Sequence, residues 1–295
     1  MSQTIGFIGL GLMGSPMTYN LIKAGYDVHV YARRQVSLPP LLEAGAIPHR
    51  TPAELADVCD VVFICVTDDQ SVEQIILGEK GLIHGAHADS VIIDMSTISP
   101  RATREIAHQL AKAHIHMLDA PISGGPQGAI NGTLSIMVGG KPDIFQRAST
   151  LLNVLGNNVV HVGDHGAGQI AKACNQTIVA QTMSAIAEAF ILARAAGVDP
   201  IRVRKALLGG FAGSRILEVH GQRMLDHHFA PGFKASLHRK DMNIVQQTAA
   251  ELGIALPGTA LSAQYLNALA HRDGEIDSSA ICVLLEELSG VDISD

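Results

Sequence analysis

Three short segments of this 295-residue chain place chemistry-bearing residues at telling spacings. The first is Gly9-Leu10-Gly11-Leu12-Met13-Gly14, a G-x-G-x-x-G that closes the β-rich run Thr4–Gly9 and opens a helical stretch over Met13–Ala24. In that context the first glycine permits a tight turn, the second lets the backbone approach a pyrophosphate, and the third allows close helix–strand packing. The helix start then offers unpaired N–H groups and a positive dipole end to the phosphates. A glycine-rich β–α turn without a ligand would also fit the string. The strand before it, and the strand Asp27–Tyr31 after it, favour a dinucleotide.

The end of that second strand bears on which dinucleotide. An NAD enzyme usually carries Asp or Glu about 20 residues beyond the motif, on the ribose hydroxyl. Here the chain reads Tyr31-Ala32-Arg33-Arg34. Two guanidiniums suit a 2′-phosphate by charge and by planar donor geometry. NADP(H) is therefore favoured, with NAD(H) as the alternative; as solvated surface charges the arginines would express no preference.

The second segment, Ser123-Gly124-Gly125, follows a β-rich run and can turn main-chain N–H groups and a hydroxyl toward one point, a concavity suited to a carboxylate. A plain glycine–proline turn is the bland reading. The third is Gly168, Lys172 and Asn175/Gln176, which share one face of a helix at i, i+4 and i+7/8. Lys172 is the only lysine or arginine between His165 and Arg194. It could snorkel to solvent. A lysine taken out of water instead titrates below its ordinary value of about 10.4 and can both give and take a proton. Asn175 or Gln176 could orient the lysine or a substrate oxygen.

These segments must be held by two kinds of architecture. The first part alternates β-rich runs (also Asp60–Val66, Ser90–Asp94, His116–Asp119, Gly132–Val138 and Asn158–Val162) with helical stretches near Pro52–Val58, Ser71–Leu77 and Pro100–Ala113. That pattern predicts a parallel sheet covered by helices. From Gly168 to Ala196 there is no proline or internal glycine, which predicts one helix of about 40 Å at ~1.5 Å per residue. Beyond Gly197 and Pro200 the pattern stays helical. The expected fold is an α/β Rossmann-like parallel-sheet domain over residues 1–163, joined by a long helix to an all-α domain over residues 164–295.

Composition narrows the function. A net charge of −7 without a basic cluster argues against a nucleic-acid partner. No apolar run approaches the roughly 20 residues that span a bilayer, so no membrane partner is expected. The start MSQTIGFIGLGLMG lacks a charged n-region, which argues against a signal or transit peptide. Cys59, Cys65, Cys174 and Cys282 show no CxxC spacing and stand among apolar neighbours, as buried free thiols of a reducing cytosol would. The fourteen histidines show no convincing ligand spacing with carboxylates or thiols, so no metal is expected. The chain reads as a cytoplasmic metabolic protein.

Taken together, FIGLGLMGSPM, DAPISGGPQGA, GAGQIAKACNQ and FKASLHRKDMN, in that order over nearly the whole chain, resemble the β-hydroxyacid dehydrogenase family. The resemblance implies a homodimer or homotetramer acting on a small 3-hydroxy acid or semialdehyde acid. It makes Lys172 the general acid/base with Asn175 or Gln176 beside it, and gives Ser123, Gly124 and Gly125 the substrate carboxylate. Val66-Thr67 and Ser96-Thr97 would line the nicotinamide side, and Lys240 would close over the cofactor. Several relatives have asparagine four residues after the lysine, where this chain has Gln176 and carries Asn175 one earlier. Ala32 replaces the acid or asparagine of many relatives, which bears on NADP preference. A non-catalytic NADP-binding sensor would keep the glycines but have no need of Lys172.

Overall fold

A computed structural model describes residues 3–34 and 37–294. The chain divides into two compact units, Met1–Lys172 and Ala173–Asp295.

The first unit is built on β1 (Thr4–Ile8), β2 (Asp27–Tyr31), β3 (Ile47–Pro48), β4 (Val61–Ile64), β5 (Val91–Asp94), β6 (His116–Asp119), β7 (Ile122–Ser123), β8 (Leu134–Gly139) and β9 (Gly156–Gly163). Among the described residues these form one nine-stranded sheet in the order β3-β2-β1-β4-β5-β6-β8-β7, with β9 on β8. The strands from β3 to β6 are mutually parallel, and β8 runs against β6 and β7. The strand order reverses at β1, which has β2 on one side and β4 on the other, and such switch points open a crevice at the carboxyl ends of the strands. Alternation along each strand divides the core in two: Phe7, Phe63 and Ile93 pack on one face, Ile8, Ile64 and Ile92 on the other.

The helices of this unit are α1 (Gly14–Lys23), α2 (Pro39–Glu43), α3 (Pro52–Ala56), α4 (Asp69–Leu77), α5 (Pro100–Lys112), α6 (Gly125–Asn131) and α7 (Pro142–Leu155). The expected strands and helices all form, with ends shifted by one or two residues; β9 and α4 run longer than expected and most of the others are trimmed. The short β3, β7, α2 and α6 carry too few residues to show a period. α7 has one, burying Ile144, Ala148, Leu151, Leu152 and Leu155 behind a proline at its start, and the alternation of β-rich runs masked it.

α8 (Ala167–Ala195) is the predicted long helix, and the unit boundary falls within it, after Lys172. The second unit continues with α9 (Pro200–Leu208), α10 (Arg215–Leu225), α11 (Ala235–Leu252), α12 (Pro257–Arg272) and α13 (Ile281–Ser289), and has no strand among its described residues. Its cores join Met183, Ala187 and Phe190 of α8 to Leu217, Met224 and Leu285, and Ala180 to Met242, Val245 and Leu266.

Two expectations are corrected here. By length and composition α8 is long and apolar enough to cross a membrane, with a mean hydropathy of 1.3 over its best window. Alanines spaced by Gln, Thr and Ser keep the mean high without forming an unbroken apolar run. Its buried side nevertheless carries Gln169, Lys172, Gln176 and Ser184, as a helix packed within protein does. Nor are all four thiols buried: Cys59 and Cys282 are, but Cys65 is half-buried and Cys174 lies on the exposed side of α8 with Ile178.

Candidate active site

At the carboxyl ends of β1, β2 and β4 lies a cleft of about 460 Å³. Of the residues expected to meet the cofactor, Gly9, Leu10, Gly11, Arg33, Arg34, Val66 and Thr67 line it, and Tyr31, Ala32, Cys65 and Lys80 stand beside them. Backbone geometry explains the glycines. Gly9 has φ +97°, and a methyl on Gly14 would run into the Gly9 carbonyl oxygen, so α1 starts hard against the turn. A methyl on Gly11 would meet no protein atom within 4 Å; the space over that turn is open. Met13 precedes α1 without a side-chain cap; Ser15 N–H already bonds the Gly11 carbonyl and Pro16 has no N–H, so no side chain competes for the Gly14 N–H at the helix start. An open turn, a helix start without a side-chain cap and two exposed guanidiniums fit a dinucleotide's pyrophosphate and ribose. Leu12 is exposed, Met13 half-buried and Gly14 buried in packing, so these three are absent from the cleft wall.

Ser96 lies behind that wall. Its hydroxyl accepts a hydrogen bond from the Val66 N–H (2.9 Å), and its own N–H donates to the Asp94 carboxylate (3.0 Å), so Ser96 ties the loop after β4 to the loop after β5. Thr97 is half-buried beside it, and the exposed Thr67 donates to Asp68.

The long helix meets the same unit. Lys172, nearly buried, donates from Nζ to the carbonyl oxygen of Ile122 at 2.8 Å. That carbonyl immediately precedes Ser123, which is half-buried, while Gly124 (φ +134°) and Gly125 (φ +63°) turn the chain into α6. Lys172 and Ser123-Gly124-Gly125 are thus adjacent. Gln169, one turn earlier, spends its whole side chain on the loop after β5: its amide nitrogen donates to the Ser96 carbonyl and its amide oxygen accepts from Ile98 N–H. Sequence reasoning missed Gln169 and Asp119, although both stand inside the quoted motifs, because their partners are main-chain groups far off in sequence.

Asn175 and Gln176 fall in the second unit. Asn175 donates to the Gln176 amide oxygen (2.8 Å), Gln176 donates to the Asp241 carboxylate (2.7 Å), and Lys240 Nζ meets the other Asp241 oxygen at 2.9 Å. Lys240 therefore joins both amides through Asp241.

Folding brings His227 to Glu286, 59 residues away, and to Asp292, with ligand atoms within 4.8 Å of one another. Sequence spacing could not show this. The Glu286 oxygen nearest His227 is already an acceptor for Ile293 N–H.

A glycine turn at a sheet's switch point with an open cleft over it defines a dinucleotide-binding fold. Family models match twice: "NAD binding domain of 6-phosphogluconate dehydrogenase" over residues 4–163, and "NAD-binding of NADP-dependent 3-hydroxyisobutyrate dehydrogenase" over residues 166–285. The chain is 46% identical to 2-hydroxy-3-oxopropionate reductase of Escherichia coli, over 96% of this chain and 97% of that one. It is 34% identical to 3-hydroxyisobutyrate dehydrogenase of Pseudomonas aeruginosa, over 94% and 96%. The solved Mycobacterium tuberculosis 3-hydroxyisobutyrate dehydrogenase, determined with L-serine, matches with a TM-score of 0.89 at 30% identity, over 97% and 99%. The chain belongs to the β-hydroxyacid dehydrogenase family and is an NAD(P)-dependent dehydrogenase.

Proposed function

We propose that the protein reduces tartronate semialdehyde (2-hydroxy-3-oxopropanoate) to D-glycerate, with NADPH favoured over NADH and Lys172 as general acid/base. The observation that carries the reading is the nearly buried Lys172 ammonium, 2.8 Å from the Ile122 carbonyl, beside Ser123-Gly124-Gly125. The segments GTLSIMVGG, ACNQTIVA and GGFAGSRILEVHGQRM resemble tartronate semialdehyde reductase within the family, and the 46% identical relative carries the synonymous name.

The chemistry follows from the residues. The Ser123 hydroxyl and the N–H groups of Gly124 and Gly125 hold the substrate carboxylate, fixing which carbon faces the cleft. A nicotinamide held in the cleft would supply the hydride that the aldehyde carbon needs. As negative charge grows on the carbonyl oxygen, Lys172 Nζ gives it a proton; in the oxidative direction the neutral amine takes the proton back. Asn175 or Gln176 orients the lysine or that oxygen. Gly9 to Gly14, Arg33 and Arg34 hold the dinucleotide, with Val66, Thr67, Ser96 and Thr97 on the nicotinamide side and Lys240 closing over it. Residues 1–163 serve the nucleotide, and residues 164–295 serve substrate and self-association in a cytoplasmic homodimer or homotetramer.

A second reading has support of its own. The 3-hydroxyisobutyrate dehydrogenases at 34% and 30% identity would make a branched acid the substrate, and glyoxylate or succinic semialdehyde would suit the same lysine. Steady-state reduction of tartronate, methylmalonate, succinic and glyoxylic semialdehyde-type substrates, with NADPH and NADH in parallel, decides among them. Highest kcat/KM for tartronate semialdehyde with NADPH supports the proposal. A branched or longer substrate winning overturns the substrate, and NADH winning overturns the role of the arginines. A non-catalytic sensor would turn over none of them.

A further inference from the structure

α8 begins without an acidic residue in its first turn. The acceptor for that positive end comes instead from Asp119, the last residue of β6, 47 positions earlier than Gly166; burial pushes its carboxyl above the ordinary value, while the Gly166 and Gln169 N–H groups favour the ionised form. Asp119 is completely buried. One carboxylate oxygen accepts the Gly166 N–H at 2.9 Å and the other accepts the Gln169 N–H at 3.1 Å. The fit is close: a methyl on Gly168 would collide with the Asp119 and Met137 carbonyl oxygens and come within 2.9 Å of the Asp119 carboxylate. Three residues beyond Asp119 in the same segment, the Ile122 carbonyl receives Lys172 Nζ. Asp119–Ile122 therefore holds the first turns of α8 at both ends, by the carboxylate at the helix start and by the carbonyl at the lysine.

We infer that Asp119 is the positioning residue for Lys172: its buried carboxylate seats the first turn of α8 through two main-chain N–H groups and so sets where the ammonium stands beside Ile122. The inference rests on Lys172 being the proton donor of the reaction. A helix moves as a unit, so a first turn that slips carries Nζ with it, and a displacement of about 1 Å at a reacting group costs on the order of 100-fold in rate. The carboxylate also balances the helix end on which the ammonium sits. Titratable groups near Asp119 are His165, whose ring meets the Met117 carbonyl, and Asp94, its register partner on β5.

Asp119→Asn tests this, since it keeps the shape but turns an N–H donor toward the helix N–H groups. Two readouts are taken on variant that binds NADPH normally. One is kcat and KM for the best substrate of the panel. The other is the pH dependence of Lys172 acetylation by acetic anhydride, read by mass spectrometry, which requires no turnover. Expected are a kcat lower by about 100-fold with NADPH affinity within a few-fold, and an acetylation midpoint lower by about half a pH unit, as the helix end loses its counter-charge. A variant that loses only thermal stability, with kcat and midpoint unchanged, makes Asp119 a plain structural cap and overturns the inference. If Asp119→Asn does not fold, Asp119→Ser, a smaller neutral acceptor, is read in the same way; failure of both to fold also overturns it. A wild-type protein that reduces no aldehyde acid, yet shows the shifted midpoint in the variant, removes the catalytic role of Lys172 and leaves the control by Asp119 standing.

Discussion

The Gln176 amide nitrogen lies 2.7 Å from the Asp241 carboxylate, buried between α8 and α11, and its amide oxygen is taken by the Asn175 amide. Gln176 thus spends both ends of its side chain inside the second unit, and its first effect is to hold Asn175 and Asp241. On the proposed mechanism, that arrangement favours Asn175 over Gln176 as the amide that acts on substrate. Asn175→Ala is expected to lower kcat by about 10- to 100-fold with little change in Tm. Gln176→Leu leaves the Asp241 oxygen without its donor and is expected to cost about 1–3 kcal/mol of stability. Thermal melts and kinetics on the two variants separate the roles, and the reverse pattern makes Gln176 the orienting amide.

Lys172→Ala removes the proposed proton donor without touching the glycine turn or the arginines. Reduction is expected to fall by about 100- to 10,000-fold, while NADPH affinity, read by nicotinamide fluorescence, stays within a few-fold. Loss of NADPH binding in a folded variant would instead make Lys172 a cofactor ligand.

Gly11 and Gly14 separate two jobs of one motif. A methyl at Gly11 meets no protein atom, so Gly11→Ala is expected to leave Tm unchanged or raise it by reducing the freedom of the unfolded chain, yet to abolish NADPH binding by standing where the pyrophosphate must come close. A methyl at Gly14 meets the Gly9 carbonyl, so Gly14→Ala should lower Tm as well. NADPH binding retained in Gly11→Ala would move the phosphates away from this turn.

The glycine turn, the strand alternation and the length of α8 were legible because each is a local pattern whose period or spacing is itself the physical cause. Ile5 and Phe7 against Gly6 and Ile8 shows the two-sided burial of β1 in five residues. What holds the site was illegible for the opposite reason. Asp119 finds its donors 47 and 50 residues away, Gln169 reaches the loop after β5 from 71 to 73 residues away, and His227 meets Glu286 across 59. These contacts depend on strand order and chain return, which spacing does not encode.

Arg33 and Arg34 are exposed on the cleft wall, with Ala32 where an acid would repel a phosphate. A charge-assisted hydrogen bond contributes about 1.5–3 kcal/mol. Changing both arginines to alanine is therefore expected to weaken NADPH binding by about 100-fold or more while leaving NADH binding within a few-fold. Titration of both cofactors against the double variant gives the ratio, and an equal loss for both would reduce the arginines to general attraction.

Asp277 anchors the second unit and makes its acid stability predictable. Fully buried, it accepts the N–H groups of Gly232, Phe233 and Ser279 and the Ser279 hydroxyl, and it pairs with Arg223 at 2.5 Å. Burial alone would push its carboxyl up, but the Ser279 hydroxyl and the three N–H groups together hold it below its usual value. A carboxyl depressed in the folded state contributes stability that is present above its unfolded value of about 3.9 and is lost as pH falls through the folded value. Unfolding of the wild type, followed by circular dichroism, should become steadily easier below about pH 4. Asp277→Asn leaves Arg223 without its carboxylate, so it should be less stable by about 3 kcal/mol at pH 7 and should lose part of that acid limb. A variant whose Tm falls with acid as steeply as the wild type would show that other carboxylates set the limb.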